Sequence, residues 1–181
     1  MINGLSIVKD FISVDEENKL LSIVKNLEWN GTLLRKSKHF GYNYNYKTKT
    51  ITREDYLGSL PDWIEPYIKK MIIKGLIHKD PNQITVNRYL PGEGISPHID
   101  VTSIFDNQLY SISLGSGCNM NFKKDDEYHS YYLPSRAFML MENDARYKYK
   151  HSIKRDTCDI VDNKTVYRET RYSITFRNVI L

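Results

Sequence analysis

Arg171-Tyr172-Ser173-Ile174-Thr175-Phe176-Arg177 alternates polar and apolar residues without a break. In an extended chain successive side chains point to opposite faces, so Tyr172, Ile174 and Phe176 share one face and Arg171, Ser173, Thr175 and Arg177 share the other. The apolar face predicts a strand laid on a core. The polar face poses a problem, because an inward arginine is costly unless it meets an anion or hydrogen-bond partners. The two arginine Cα atoms lie ~20 Å apart at about 3.3 Å per residue. Side chains reaching toward each other would address opposite regions of one small dianion. An edge strand carrying two solvated arginines is the competing reading.

Working outward, the preceding half of the chain also reads as strands. Residues 84–89 form one; Tyr110, Ile112 and Leu114 alternate with Ser111 and Ser113 in another; residues 137–141 are nearly continuous apolar, as a buried strand would be. The first third is mainly helical. Ser13-Val14-Asp15-Glu16 is a capping-box pattern ahead of an apolar stripe of Leu20, Ile23, Val24 and Leu27. A second helix is expected from Pro61, with Ile64, Ile68, Met71 and Ile72 on one face and Gly75 as its stop. Residues 35–53 alternate short polar and aromatic residues and suggest a hairpin or flap. Helices first and short strands afterwards imply an α+β fold, with helices supporting a β-sandwich or barrel.

The length of 181 residues makes one domain, 1–181, the expectation, and 40% hydrophobic with 27% charged residues argues against a fibrous or disordered chain. No apolar run approaches the roughly 18 residues of a membrane span, and the first residues lack a secretory signal pattern. Cys118 and Cys158, the two cysteines, form no CxxC pattern and are read as structural, which points to a reducing, intracellular compartment, cytoplasmic or nuclear. Fourteen tyrosines in a chain of net charge +4 hint at nucleic acid only weakly.

The chemistry concentrates in Pro91-Gly92-Glu93-Gly94-Ile95-Ser96-Pro97-His98-Ile99-Asp100. On an extended segment His98 and Asp100 point to the same side. An imidazole and a carboxylate so placed can bind one metal ion if a third ligand comes from elsewhere, and His151 is the best candidate. Two histidines and a carboxylate on one face leave three octahedral positions open, the arrangement of non-haem Fe(II) oxygenases. A lone His-x-Asp is otherwise common. His39, His78 and His129 are read as ordinary histidines, His39 with a place near a substrate surface.

Taken in order, His98, Asp100, His151, Arg171 and Arg177 resemble the pattern of the AlkB family of Fe(II)- and 2-oxoglutarate-dependent dioxygenases. That pattern is His-x-Asp, a distal His, then two arginines six residues apart. Asn87-Arg88-Tyr89-Leu90-Pro91-Gly92-Glu93-Gly94-Ile95, Ser111-Ile112-Ser113-Leu114-Gly115-Ser116 and the 171–177 strand resemble family segments, and the likeness runs over residues 33–178. The resemblance implies a double-stranded β-helix, a jelly-roll relative, with N-terminal helices packed outside. It implies Fe(II) on His98, Asp100 and His151, and 2-oxoglutarate held through its 5-carboxylate by Arg171 and Tyr89. Asn87, Ser173 and Arg177 would complete the cosubstrate site, with O2 as the remaining reactant. The products would be succinate, carbon dioxide and a substrate oxidised at a C–H bond. Two departures stand out. Ser152 follows the distal histidine where the family often has Gly. Val101-Thr102-Ser103-Ile104-Phe105 carries no second acid of the kind that repair members use to read a damaged base. The spacing of Asp100, Ser103 and Phe105 looks closer to the branch that hydroxylates tRNA wobble uridine. In animals that branch adds RNA-recognition and methyltransferase domains; here a separate partner would supply those roles, or the substrate differs.

The local charge map favours a nucleic-acid partner, and the resemblance to the wobble-uridine branch implies RNA. Residues 33–53 hold Arg35, Lys36, Lys38, Lys47, Lys49 and Arg53 with no acid, interleaved with Phe40, Tyr42, Tyr44 and Tyr46. On a strand the even-numbered aromatics would share a face, so cations could meet phosphates while a ring stacks a base. Arg35, Lys36, Lys38, Tyr42, Tyr44 and Tyr46 are therefore the expected substrate contacts. A half-buried tyrosine row beside a solvated lysine face is the plainer reading. Arg146, Lys148, Lys150, Lys154 and Arg155 make a second acid-free basic stretch around His151. The expected protein is a monomer that is not membrane-bound and acts on a modified tRNA nucleoside. The alternatives are alkylation repair of DNA or RNA, a silent nucleic-acid-binding module, and a protein hydroxylase or demethylase.

Overall fold

The computed structural model describes residues 1–29 and 36–181. After a short strand, β1 (Leu5–Val8), helix α1 (Val14–Val24) starts at the expected capping box. The Ser13 hydroxyl accepts from the Glu16 amide at 3.2 Å, and Glu16 accepts from the Ser13 amide at 2.7 Å. Leu20 and Val24 are fully buried. Strand β2 (Lys36–Phe40) follows, then 3-10 turns at Arg53–Asp55 and Asp62–Ile64 and helix α2 (Glu65–Ile73). Pro61 caps the second 3-10 turn rather than opening the α-helix, which begins four residues later with Pro66 in its first turn. Ile64, Ile68 and Met71 are buried, but Ile72 lies one step round the helix and is exposed. Gly75 ends the run with φ +65°.

The strands come next: β3 (Gln83–Tyr89), β4 (Ile95–His98), β5 (Leu109–Gly115), β6 (Cys118–Lys124), β7 (Glu127–Leu133) and β8 (Phe138–Met141). A short helix, α3 (Asn143–Tyr147), precedes β9 (Lys150–Ile153), β10 (Cys158–Val161), β11 (Lys164–Tyr167) and β12 (Arg171–Arg177). Six strands form one sheet in the order β1-β8-β5-β12-β3-β2, four form a second as β4-β9-β6-β7, and β10 and β11 make a separate hairpin. All pairs are antiparallel. The two sheets face each other as a jelly roll.

The 171–177 strand is no edge. It runs between β3 and β5, with Ser173 opposite both Asn87 and Ser113. Its two faces divide the molecule. Ile174 and Phe176 pack with Ile84, Val86, Ile112 and Leu114 against the helices. The other face looks toward the four-stranded sheet, where Leu109, Met139 and Met141 meet Met120, Phe122 and Ile153 in a second core. Full burial of each large apolar side chain stabilises the fold by about 1.5–3 kcal/mol.

The 35–53 segment meets the hairpin expectation only in its second half. Strand β2 pairs with β3, and only the segment beyond it folds back as an irregular hairpin, with antiparallel bridges between Tyr42 and Tyr56 and between Asn45 and Thr50. The strand stops at Gly41, whose φ is +78°, and a Cβ there would lie 1.9 Å from the Asn82 carbonyl oxygen. That kink breaks the aromatic row. Phe40 meets Trp63 edge-on, Tyr42 packs on Tyr56, and Tyr44 and Tyr46 form their own edge-on pair.

Candidate active site

Register brings the three candidate ligands together. His98, at the end of β4, lies directly opposite His151 on β9, with ring centroids 4.3 Å apart. Asp100 follows two residues later, and one ligand atom from each of His98, Asp100 and His151 lies within 4.8 Å of the others. The Nδ1 of His98 is 2.8 Å from the Ser96 carbonyl oxygen. A carbonyl only accepts, so Nδ1 carries the proton and Nε2 is left with its lone pair. That bare nitrogen sits 3.8 Å from Asp100 Oδ1. A lone pair and a carboxylate oxygen facing each other need a cation between them, so the donor set fits a divalent ion.

The electrostatics agree. Burial pushes the Asp100 carboxyl up, but the positive groups around it, the Arg177 guanidinium first among them and Arg146 behind, outweigh it and hold the group ionised. Burial, then the neighbouring His98, pushes the His151 imidazole down to about 3, despite Asp100. A neutral imidazole and an ionised carboxylate are the forms that ligate metal.

The alternating strand supplies the rest. Arg171, Ser173, Thr175 and Arg177 all line one cavity of about 340 Å³, together with Asn87 and Tyr89 from β3. Arg171 is 3% exposed, donates to the Ser113 hydroxyl at 2.9 Å, and lies 5.5 Å from the Tyr89 ring centroid. Its Nε has no hydrogen-bond partner and no carboxylate pairs with it among the described residues. A buried guanidinium without a counter-ion fits the carboxylate of a cosubstrate, which it can bind bidentately. Arg177 differs. It donates to Thr85 Oγ1 at 3.0 Å and approaches Asp100 Oδ2 at 3.4 Å, so its charge is directed at a candidate metal ligand.

The expected substrate residues separate. Tyr44 and Tyr46 line the cavity, as do Lys49 and Phe105. Tyr44 lies 5.7 Å from the Phe105 ring. Tyr42 does not line it. Lys36 and Lys38 pair in register with Arg88 and Val86, whereas the cavity-lining residues of β3 are Thr85, Asn87 and Tyr89. Both lysines therefore share the helix-side face of the sheet and point away from the cavity. Arg35 lies outside the described residues. His39 sits at the cavity's edge, with Nδ1 3.1 Å from Thr85 Oγ1.

Two residues take roles at the site that sequence reasoning did not give them. Phe105 is carried to the cavity by the loop after Asp100, and its ring lies under Arg177 at 4.9 Å. Arg146 belongs to no basic surface: it is buried, and it donates to the carbonyls of Asp100 at 2.8 Å and Phe105 at 3.0 Å, with Val101 and Asp106 within 3.5 Å. It ties the whole 100–106 loop to α3. Nothing in a lysine-rich stretch distinguishes this arginine, because its partners are backbone carbonyls.

Comparison with known proteins matches this geometry. The profile of the 2OG-Fe(II) oxygenase superfamily covers residues 7–177, and the chain belongs to that family. Within it the chain is AlkB-like, an Fe(II)- and 2-oxoglutarate-dependent dioxygenase that uses O2. It is 37% identical over 185 residues to the uncharacterized protein L905 of Acanthamoeba polyphaga mimivirus, covering 99% of this chain and 86% of that one. It is 34% identical to the tRNA (carboxymethyluridine(34)-5-O)-methyltransferase alkbh8 of Xenopus tropicalis, over 97% of this chain but only 32% of the relative. The chain thus spans about a third of that protein. The solved structure of OsALKBH1 superposes with a TM-score of 0.71 at 15% identity, over 97% of this chain and 98% of that one, which shows a shared fold. No helix among the described residues is long and apolar enough to cross a membrane.

Proposed function

We propose that residues 1–181 act as one domain that oxidises a nucleic-acid base, a modified tRNA wobble uridine in particular. The observation that carries this reading is the cavity between the His98–Asp100–His151 cluster and the buried, counter-ion-free Arg171. It opens beside an aromatic cluster of Tyr44, Tyr46 and Phe105. The similarity to a tRNA-modifying relative supports the choice of RNA.

In this reading His98, Asp100 and His151 hold Fe(II). Arg171, on the Tyr89 ring and steadied by Ser113, takes the far carboxylate of 2-oxoglutarate, while Asn87 and Ser173 line its bed. Bound Fe(II), with 2-oxoglutarate and O2, supplies oxidative decarboxylation to succinate and carbon dioxide, with one oxygen atom passing to a substrate C–H bond. The chain's own residues do the placing. Arg177 keeps Asp100 ionised, the His98 Nδ1–H to Ser96 contact aims the ring, and the apolar wall of Met120, Met139 and Met141 limits water. Tyr44 and Phe105 offer rings on which an extruded base stacks.

The test is nucleoside mass spectrometry of tRNA, drawn from cells lacking the gene and incubated with purified protein, Fe(II), 2-oxoglutarate and air. A wobble uridine derivative that gains one oxygen atom supports the proposal. Formaldehyde and loss of a methyl group would reassign the chain to demethylation. No change in any nucleoside, with turnover on a protein instead, would sink the nucleic-acid reading.

A further inference from the structure

The outer face of the four-stranded sheet carries a second feature, apart from the cavity. On β9, His151 and Ile153 face inward, so Lys150, Ser152 and Lys154 face out. Asn121 and Lys123 of β6 stand opposite Ser152 and Lys150, and Lys123 stands opposite Tyr128 of β7. A groove of about 320 Å³ runs over this face, walled by Tyr128, Asn121, Lys154 and Arg155. The Lys154 ammonium is 5.9 Å from the Tyr128 ring centroid, and that ring is 51% exposed.

Two observations say what would lie there. First, Lys123 and Lys150 are direct cross-strand partners, an arrangement that is destabilising on its own. Among the described residues no carboxylate pairs with Lys123, Lys150, Lys154 or Arg155. Glu127, which opens β7, is taken by Lys124 and the Tyr149 hydroxyl on the other face. Asp125 and Asp126 sit at the β6–β7 turn beyond the groove's end. Four uncompensated cations around an exposed ring suit a polyanion with flat groups. Second, the groove and the catalytic cavity share walls: Ile95, Ser96 and Ile153 line both. A strand with one nucleotide in the cavity passes over β4 directly into the groove.

We infer that this groove holds the single-stranded polynucleotide flanking the reacting nucleotide, its phosphates on Lys123, Lys150, Lys154 and Arg155 and a base on Tyr128. The inference rests on the nucleic-acid reading above and adds a second contact region, on the sheet face opposite the catalytic cavity.

The test is fluorescence anisotropy with a labelled single-stranded RNA of about 15 nucleotides and the same sequence as DNA, across a salt series. Tyr128→Ala should weaken binding about tenfold through lost stacking. The triple variant K150Q/K154Q/R155Q should weaken it further and reduce the log–log salt slope by about 2, at about 0.7 per single-strand phosphate contact. All four side chains are exposed, so melting temperatures should stay within ~2 °C of the parent. Lys36→Gln with Lys38→Gln serves as the comparison. If groove variants bind like the parent while this pair weakens binding, the groove inference is overturned and the nucleic-acid reading stands. If the parent binds neither RNA nor DNA, both fall. If heparin displaces the strand and Tyr128→Ala has no effect, the face is a general polyanion patch and stacking there is refuted.

Discussion

Arg171 and Arg177 have the same side chain on the same face of one strand, yet their surroundings give them different work. Arg171 has a hydroxyl, a ring beneath it and, among the described residues, no carboxylate partner; Arg177 has Asp100. Arg171→Ala should therefore raise the 2-oxoglutarate KM by tenfold or more, since hydrogen bonds to a charged group contribute about 1.5–3 kcal/mol. An unchanged KM in steady-state succinate assays would remove Arg171 from the cosubstrate site. His98 makes the complementary test. Its side chain is 32% exposed, so His98→Ala should fold and melt within a few degrees of the parent. Its affinity for Mn(II), a redox-quiet substitute, should fall at least 100-fold by titration calorimetry. Retained Mn(II) affinity would mean that the ion sits elsewhere. The alternation of 171–177 was legible because period-two patterning is local. The difference between the two arginines was not, because Ser113, Tyr89 and Asp100 come from other parts of the chain.

At the scale of elements, two attachments can be weighed. Glu16 closes the capping box of α1 and also reaches Lys70 of α2 at 2.7 Å. Burial pushes its carboxyl up, but Lys70 and the Ser13 contacts pull it below its ordinary value overall. A depressed carboxylate contributes stability above its unfolded pKa of ~4.3 and loses it as pH falls through the lower folded value. Glu16→Gln should thus cost about 1 kcal/mol near pH 7, discounted for partial exposure, and the gap to the parent should close below about pH 4 in denaturant melts. A constant gap would assign the effect to packing. Arg146 is the second attachment. Arg146→Met should leave the Asp100–Asp106 carbonyls unpaired, lower stability by about 3 kcal/mol or more, and weaken Mn(II) binding although Arg146 touches no metal. Arg146→Lys, which keeps the charge without the fork, should restore stability only in part. Equal Mn(II) affinity in all three proteins would show that the loop is held otherwise. The capping box could be read in advance because its partners are three residues apart. The Arg146 clamp spans some 40 residues and uses backbone acceptors that every sequence has.

For the molecule as a whole, the cavity is walled by both sheets, from β3, β5 and β12 on one side and β4, β6 and β9 on the other. A ligand pair bridging them stabilises only the assembled sandwich. Mn(II) with 2-oxoglutarate, each at about 100 times its Kd, should raise the melting temperature by roughly 11–22 °C, at ~2.7 kcal/mol for each of the two saturated sites and ~2–4 °C per kcal/mol. The joint shift should exceed either ligand alone. A 2-oxoglutarate shift independent of metal would separate the two sites. The net charge of +4 decided little, since Arg146 proved buried while Lys123 and Lys150 stand together on an outer face. Sequence alone determined the capping box of α1, the two-faced strands and the order His98, Asp100, His151, Arg171, Arg177, because periodicity and short motifs are set by neighbours along the chain. Only the tertiary structure decided that His98 meets His151 across β4 and β9, that the tyrosine row breaks at Gly41, and that a basic groove shares its walls with the cavity. Each depends on strand register and a close backbone approach, which are fixed when distant segments pack and leave no local trace.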